Sequence, residues 1–265
     1  MVSDLKHHID ALTKEVAARE LVETELRVAR EIQSSLLPRT FPPFPHREEF
    51  ELHAVNKAAR RVTGDFFDFF FMNDTTFMIV IADVSGKGIP AALMMAVTRT
   101  IIRNLAKTGE SPAHVLKETN RLLIEGRTQT MFVTIFAGCY YTDSGKFIYA
   151  NAGHHPPVKL DREGNVSRFD NATGTIVGML DEATYENHEM TLMHGEYLIL
   201  YTDGVPEARS ATGQFFGEER FMKLLSQAAG KSTIQLCDSI IEEVLSFQPG
   251  EINDDITLLA LKRTI

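Results

Sequence analysis

Cysteine, basic charge and long apolar runs are all scarce in this sequence, and each scarcity excludes something. The two cysteines, Cys139 and Cys237, are too few and too far apart for a disulfide framework or a metal knuckle, and each falls in an apolar stretch that suits a small buried thiol. A reducing, cytoplasmic compartment is the expectation. No apolar run approaches the roughly 18 to 20 residues of a membrane span, and the N-terminal MVSDLKHHIDALTKE lacks the apolar segment of a signal peptide, so no membrane contact by this chain is expected. Lys and Arg number 27 against 36 Asp and Glu, a formal charge of −9 with the nine histidines neutral. That balance argues against a non-specific nucleic-acid binder, which must neutralise phosphates with clustered cations. An acidic chain that handles phosphate needs bound cations instead. What is present in quantity is core material: 44% hydrophobic residues and 17 Phe among 265 describe one sizeable folded domain or two small ones, well outside the disordered range.

Glycine and proline are absent before Pro38, in a stretch rich in Glu, Ala, Leu, Lys and Arg, so residues 1–36 read as one long helix. Leu5, Ile9, Leu12 and Val16 follow the spacing of a coiled-coil seam. Ala18, Val22, Glu25, Ala29, Ile32 and Leu36 resume it after a break in register. Such a seam calls for a partner helix, and a homodimer through this helix is expected. Residues 37–48 hold four prolines, which no helix or central strand survives, and are read as a proline-rich linker; residues 49–265 form the remaining domain.

Beyond the linker, apolar runs of strand length stand at 50–55, 66–72 and 76–84, the last two separated by the turn residues Asn73-Asp74. Helical patterns follow from Ile89-Pro90 to about residue 107 and from Ser111-Pro112 to about residue 125. Further strands are expected at 131–141, 146–151, 157–160, 166–169, 185–192, 196–202 and 255–262, and further helices at 218–229 and 232–247. Hairpins in tandem with helices in pairs indicate an α+β fold of antiparallel sheets covered by helices.

The aspartates fall at the ends of these strands. Asp65 and Asp68 open one apolar run, Asp83 ends FMIVIA, Asp203 ends YLILYT, and Asp254 and Asp255 open ITLLAL. Carboxylates beside buried strands are costly unless paired or coordinated, and most of these have no sequence-local Lys or Arg. Oxygen-only ligands suit Mg²⁺ or Mn²⁺ and disfavour zinc. Two such ions lower the pKa of a bound water and neutralise phosphoryl oxygens, the two-metal route to phosphate-ester hydrolysis. Taken singly, several of these aspartates also suit ordinary turn chemistry; four acidic strand ends together are harder to explain that way.

Gly64-Asp65-Phe66-Phe67-Asp68, Asp83-Val84-Ser85-Gly86-Lys87-Gly88, Asn151-Ala152-Gly153-His154, Thr202-Asp203-Gly204 and Asp254-Asp255-Ile256-Thr257 occur in this order. In that order they resemble the signature of the bacterial PPM-type, metal-dependent serine/threonine phosphatases of the SpoIIE and RsbU branch. The likeness covers residues 28–263, including the lead-in from Ala29-Arg30-Glu31-Ile32-Gln33 to Leu36-Leu37-Pro38. It implies an α-β-β-α sandwich with two Mn²⁺ or Mg²⁺ ions at one end, and direct attack on phosphoserine or phosphothreonine by metal-activated water. By the same likeness Asp65, Asp83, the Val84 carbonyl, Asp203 and Asp254 hold the metals. Asp68 and Asp255 are supporting or alternative ligands, and Gly204 and His154 stand close by. The resemblance further implies a phosphorylated STAS-type anti-sigma-factor antagonist as substrate, in a partner-switching pathway, with this chain as the output module of a larger sensor.

Two departures from the family pattern stand out. Thr63 and Phe67 replace a usual Gly and a frequent Tyr, changes expected to leave the carboxylates untouched. Arg60 and Arg61 are read as a solvated charge pair rather than as phosphate ligands. His154 and His155, adjacent and followed by Pro156-Pro157, point different ways and do not share an ion, which favours a structural role for Asn151 and His154. Gly86-Lys87-Gly88 is not a phosphate loop, since GxxxxGK[ST] is missing, and its glycines suit a tight strand-to-helix turn. A diguanylate cyclase reading of Gly-Asp-Phe-Phe leaves Asp203-Gly204 and Asp254-Asp255 unexplained. The alternative of another class is a non-catalytic binding module that keeps the same fold.

Overall fold

Turn residues cut the apolar runs into hairpins, and in the computed structural model these assemble as two antiparallel sheets between two pairs of helices. The structure describes residues 2–59, 62–126, 131–169 and 174–265. The elements run α1 (Val2–Leu36), β1 (Phe50–Lys57), β2 (Phe66–Phe71), β3 (Thr76–Val84), α2 (Ile89–Ala106), α3 (Pro112–Gly126), β4 (Val133–Tyr141) and β5 (Lys146–Ala152). They continue with β6 (Val158–Leu160), β7 (Val166–Arg168), β8 (His188–Thr191), β9 (Tyr197–Tyr201), α4 (Glu218–Ser226), α5 (Thr233–Phe247) and β10 (Ile256–Arg263). One sheet has the order β1-β10-β9-β6-β7 and the other β2-β3-β4-β5-β8.

Strand periodicity sorts the side chains into three apolar layers. Along β3, Phe77, Ile79 and Ile81 face the opposite sheet, where they meet Phe50, Leu198, Leu200 and Leu259, and Phe136 and Tyr140 of the adjacent strand β4 share this layer. Their neighbours Met78, Val80 and Ala82 face the other way, onto Ala91, Met95 and Ile102 of α2 and Val115 and Leu116 of α3. On the far side, Ile199, Tyr201, Leu258 and Ala260 pack against Phe221 and Leu225 of α4 and Leu236, Ile240 and Val244 of α5. The sandwich is therefore held mainly by apolar burial, with aromatic rings filling the space between the sheets.

The helices start where local chemistry permits. Pro90 stands in the first turn of α2 after Gly88, and Ser232 caps α5 in a reciprocal arrangement with Gln235. Two elements are shorter than the sequence pattern predicts. The last residues expected in α4 instead form turns leading to Gly230, whose φ is +82°. Tyr185, expected in β8, bridges Gly174 and leaves only His188–Thr191 paired with β5.

α1 projects along its length into solvent: Leu12, Val16, Val22 and Ile32 of the seam are all exposed, while the side chains of Leu5, Ile9 and Ala18 lie outside the described residues. Its end is anchored, because Gln33 is buried and Leu37 packs against the layer beneath α2. The proline-rich segment lies on the open end of the inter-sheet core, with Phe41 against His53 and Phe69, and Phe44 against Phe50, Phe71 and Phe77. Among the described residues no helix is long and apolar enough to cross a membrane.

Candidate active site

Strand register gathers the aspartates. Phe66 pairs with Ala82, so Asp65 at the start of β2 lies beside Asp83 at the end of β3. In the other sheet Tyr201 pairs with Leu258, which sets Thr202 against Thr257 and leaves Asp203, Asp254 and Asp255 just beyond the strand ends. The two pairs of ends meet at one edge of the sandwich. Asp65, only 2% exposed, is the joint: its Oδ2 accepts hydrogen bonds from Thr202 Oγ1 at 2.6 Å and Thr257 Oγ1 at 2.7 Å, both from the opposite sheet.

The turn before Asp65 is held as firmly. Asp255 Oδ1 accepts from the Ala59 amide at 2.7 Å, and its Oδ2 accepts from Thr63 Oγ1 at 2.6 Å and the Gly64 amide at 3.0 Å. Thr63 Oγ1 in turn accepts from the Asp65 amide at 3.0 Å. Gln33 of α1 clamps the same residue, donating from Nε2 to the Thr63 carbonyl at 2.6 Å and accepting at Oε1 from its amide at 3.0 Å. Two glycines allow this close approach: a Cβ on Gly64 would stand 2.9 Å from the Val84 carbonyl oxygen, and one on Gly204 would stand 2.0 Å from that of Asp255.

Charge of one sign accumulates here. Burial, and then the charges of Asp83 and Asp255, hold the Asp65 carboxyl well above the usual carboxylate range, against the pull of its two threonine hydroxyls. Burial and the charge of Asp203 push Asp83 up to about 7, although it shares a hydrogen bond with Asp65. Burial, Asp254 and Glu207 raise Asp203 to about 6, with Lys87 pulling it down. Lys87 makes the only ion pair of this group among the described residues, 2.8 Å from Asp254 Oδ2. Also among the described residues, no three acidic, His or Cys side chains stand in a ready-made coordination cluster. Hydroxyls and amides hold Asp65 and Asp255, and one lysine holds Asp254.

Not every expected residue joins this group. Asp68 stands apart: its carboxylate is held by Arg99 at 3.1 Å and by Arg103 at 2.9 and 3.0 Å on the α2 side of the sheet. His154 is buried, with its backbone bonded to the Asn151 side chain and its Nδ1 2.9 Å from Thr134 Oγ1, and burial takes its pKa down to about 3. Thr134 is the register partner of Asp83, so this neutral histidine stands behind the Asp83 strand end. Arg60 and Arg61 lie outside the described residues. The sequence reading assigned no site role to Gln33, Thr63, Lys87, Thr202 or Thr257. For the two strand-end threonines the available signal was their place in the aspartate motifs.

Comparison with known proteins decides what this arrangement belongs to. Residues 73–264 match the family model of stage II sporulation protein E. The chain belongs to the SpoIIE family, the bacterial PPM-type phosphatases. Phosphoserine phosphatase RsbU of Bacillus subtilis (strain 168) is 31% identical to this SpoIIE-family chain over 244 residues, which cover 92% of this chain and 71% of RsbU. The SiaA-PP2C domain of Pseudomonas aeruginosa matches the SpoIIE-family fold with a TM-score of 0.81 at 24% identity, over 93% of this chain and 98% of that one. RsbX in complex with magnesium shares the same fold, with a TM-score of 0.62 at 18% identity over 83% of this chain and 98% of that one.

Proposed function

We propose that this chain hydrolyses phosphoserine and phosphothreonine on a protein substrate, with Asp65, Asp83, the Val84 carbonyl, Asp203 and Asp254 holding two Mn²⁺ or Mg²⁺ ions. The observation that carries this reading is the meeting of strand-end carboxylates from two sheets with too little positive charge between them; burial first, and the neighbouring carboxylates second, push Asp83 up to about 7 and Asp203 to about 6. Oxygen donors of this kind suit hard divalent cations, which reverse that repulsion, and the donor set fits them. When bound, the ions supply Lewis acidity and lower the pKa of water near phosphorus.

The chain's own part is positioning. Thr202 and Thr257 fix the Asp65 carboxylate through Oδ2; Asp255 fixes the turn that carries Asp65. Neutral His154 keeps a further charge away from the Asp83 strand end. The substrate in this reading is a phosphorylated STAS-type anti-sigma-factor antagonist, in keeping with the likeness to the phosphoserine phosphatase RsbU. Residues 1–36 serve as a dimerising coiled coil, 37–48 as the joint and 49–265 as the catalytic domain; the exposed seam of α1 supports this division.

Hydrolysis of p-nitrophenyl phosphate and of a phosphoserine STAS protein tests the reading, using wild type and Asp203→Ala with Mn²⁺, with Mg²⁺ and with EDTA. Metal-dependent turnover that disappears in the variant is expected. A folded wild type with no turnover under any metal would instead favour the binding module.

A further inference from the structure

Lys87 brings a positive charge to a site otherwise made of carboxylates. Its backbone stands between two glycines in the left-handed region, Gly86 at φ +88° and Gly88 at φ +82°, and no atom lies within 4 Å of where a Gly88 Cβ would be. The side chain is 43% exposed, so the turn carries the ammonium on a flexible stem at the mouth of the site. That ammonium lies 2.8 Å from Asp254 Oδ2 and 3.4 Å from the Asn253 carbonyl oxygen, and its charge also bears on Asp203. It is thus within reach of two residues proposed above as metal ligands.

The contact with Asp254 is a weak one. Both partners are more than two-fifths exposed, and solvent-exposed pairs of this kind contribute little to stability. A divalent cation bound by Asp254 would compete with this ammonium, which has little else to hold it there. With Asp255 included, five carboxylates would outweigh two divalent ions by one negative charge, which leaves the dianionic phosphate of a phosphoserine with little compensation. A tethered ammonium supplies that compensation as a point charge.

We infer that Lys87 binds the substrate phosphate: released from Asp254, its ammonium pairs with a non-bridging phosphoryl oxygen and holds the ester over the site. This inference rests on the phosphatase reading given above. It assigns Lys87 a contact with the substrate, distinct from the carboxylates that bind metal.

The test compares wild type, Lys87→Met and Lys87→Arg on a phosphoserine peptide, with inorganic phosphate as product inhibitor and Mn²⁺ binding followed by calorimetry. In Lys87→Met, KM and the phosphate inhibition constant each rise about tenfold, as loss of one charge-assisted hydrogen bond requires, and kcat changes less than KM. Lys87→Arg recovers most of both, since the charge is kept. Mn²⁺ binds Lys87→Met at least as tightly as wild type, because a competitor for Asp254 has gone. An unchanged phosphate inhibition constant in Lys87→Met overturns the inference. So does weaker Mn²⁺ binding with KM intact, which would make Lys87 a support for Asp254. A wild type without turnover sinks the phosphatase reading; calorimetric titration of the Mn²⁺-loaded protein with inorganic phosphate then decides Lys87 by itself, equal affinity in wild type and Lys87→Met overturning it.

Discussion

Asp65 sits where both sheets reach it, and its two threonine partners set its orientation. Thr257→Val removes one hydroxyl from Oδ2 while keeping the side-chain shape, and is expected to weaken Mn²⁺ binding by about tenfold in a calorimetric titration, as loss of a ligand's supporting bond does elsewhere. Asp83 offers a pH test. Its pKa in the fold is about 7 against an ordinary 3.8, so without metal the native state holds this proton more tightly than the unfolded chain. The resulting stability is present at acid pH and fades as pH rises from about 4 to about 7. His154, lowered to about 3, acts in the opposite sense, so the comparison must isolate one residue. In EDTA, Asp83→Asn should be increasingly more stable than wild type as pH climbs through that window. Thermal melts at pH 5, 6, 7 and 8 that show a constant gap would contradict this. The strand-end aspartates were legible because charge beside apolar runs stands out in a sequence. Strand parity sets Asp68 apart from the others: it shares the side of Phe66, facing the helices, whereas Phe67 and Phe69 face the other sheet. Lys87 and Asp254 are 167 residues apart, a separation across which no local pattern carries information.

At the scale of elements, α1 and α2 each have a face to test. The exposed seam of α1 predicts that Val22→Asp with Ile32→Asp gives a monomer by light scattering with the fold unchanged by circular dichroism. Gln33 tests something different, since it faces the Thr63 turn and not the seam. Gln33→Ala leaves the buried Thr63 peptide unpaired, at a cost of about 1 to 3 kcal/mol, and should lower turnover while leaving the oligomeric state as in wild type. In α2, Arg99 and Arg103 converge on the buried Asp68. Asp68→Ala leaves two like charges without their partner and should destabilise the fold by about 3 kcal/mol in urea unfolding. The elements themselves were largely readable, because strand-length runs punctuated by Asn73-Asp74 or Asp143-Ser144-Gly145 admit few alternatives. The ends of α4 and β8 were not, since tertiary contacts such as the Tyr185–Gly174 bridge decide where pairing stops.

For the molecule as a whole, each sheet supplies half of the site and the aromatic layer fixes their spacing. Mn²⁺ at about a hundred times its dissociation constant should stabilise the native state by about 2.7 kcal/mol, read as a rise in melting temperature. Asp65→Asn should show a much smaller rise, since it weakens the joint between the halves. The pairing of β1 with β10 has a consequence in time as well as space. Phe50 lies opposite Arg263 and Lys57 opposite Ile256, so the first strand to leave the ribosome waits for the tenth before its sheet can close. Until then Asp65 lacks Thr257 and the turn before it lacks Asp255. A nascent or truncated polypeptide that ends after α5 therefore lacks Asp254, Asp255 and Thr257, so the last stretch of chain to be made is also the one that completes the carboxylate cluster.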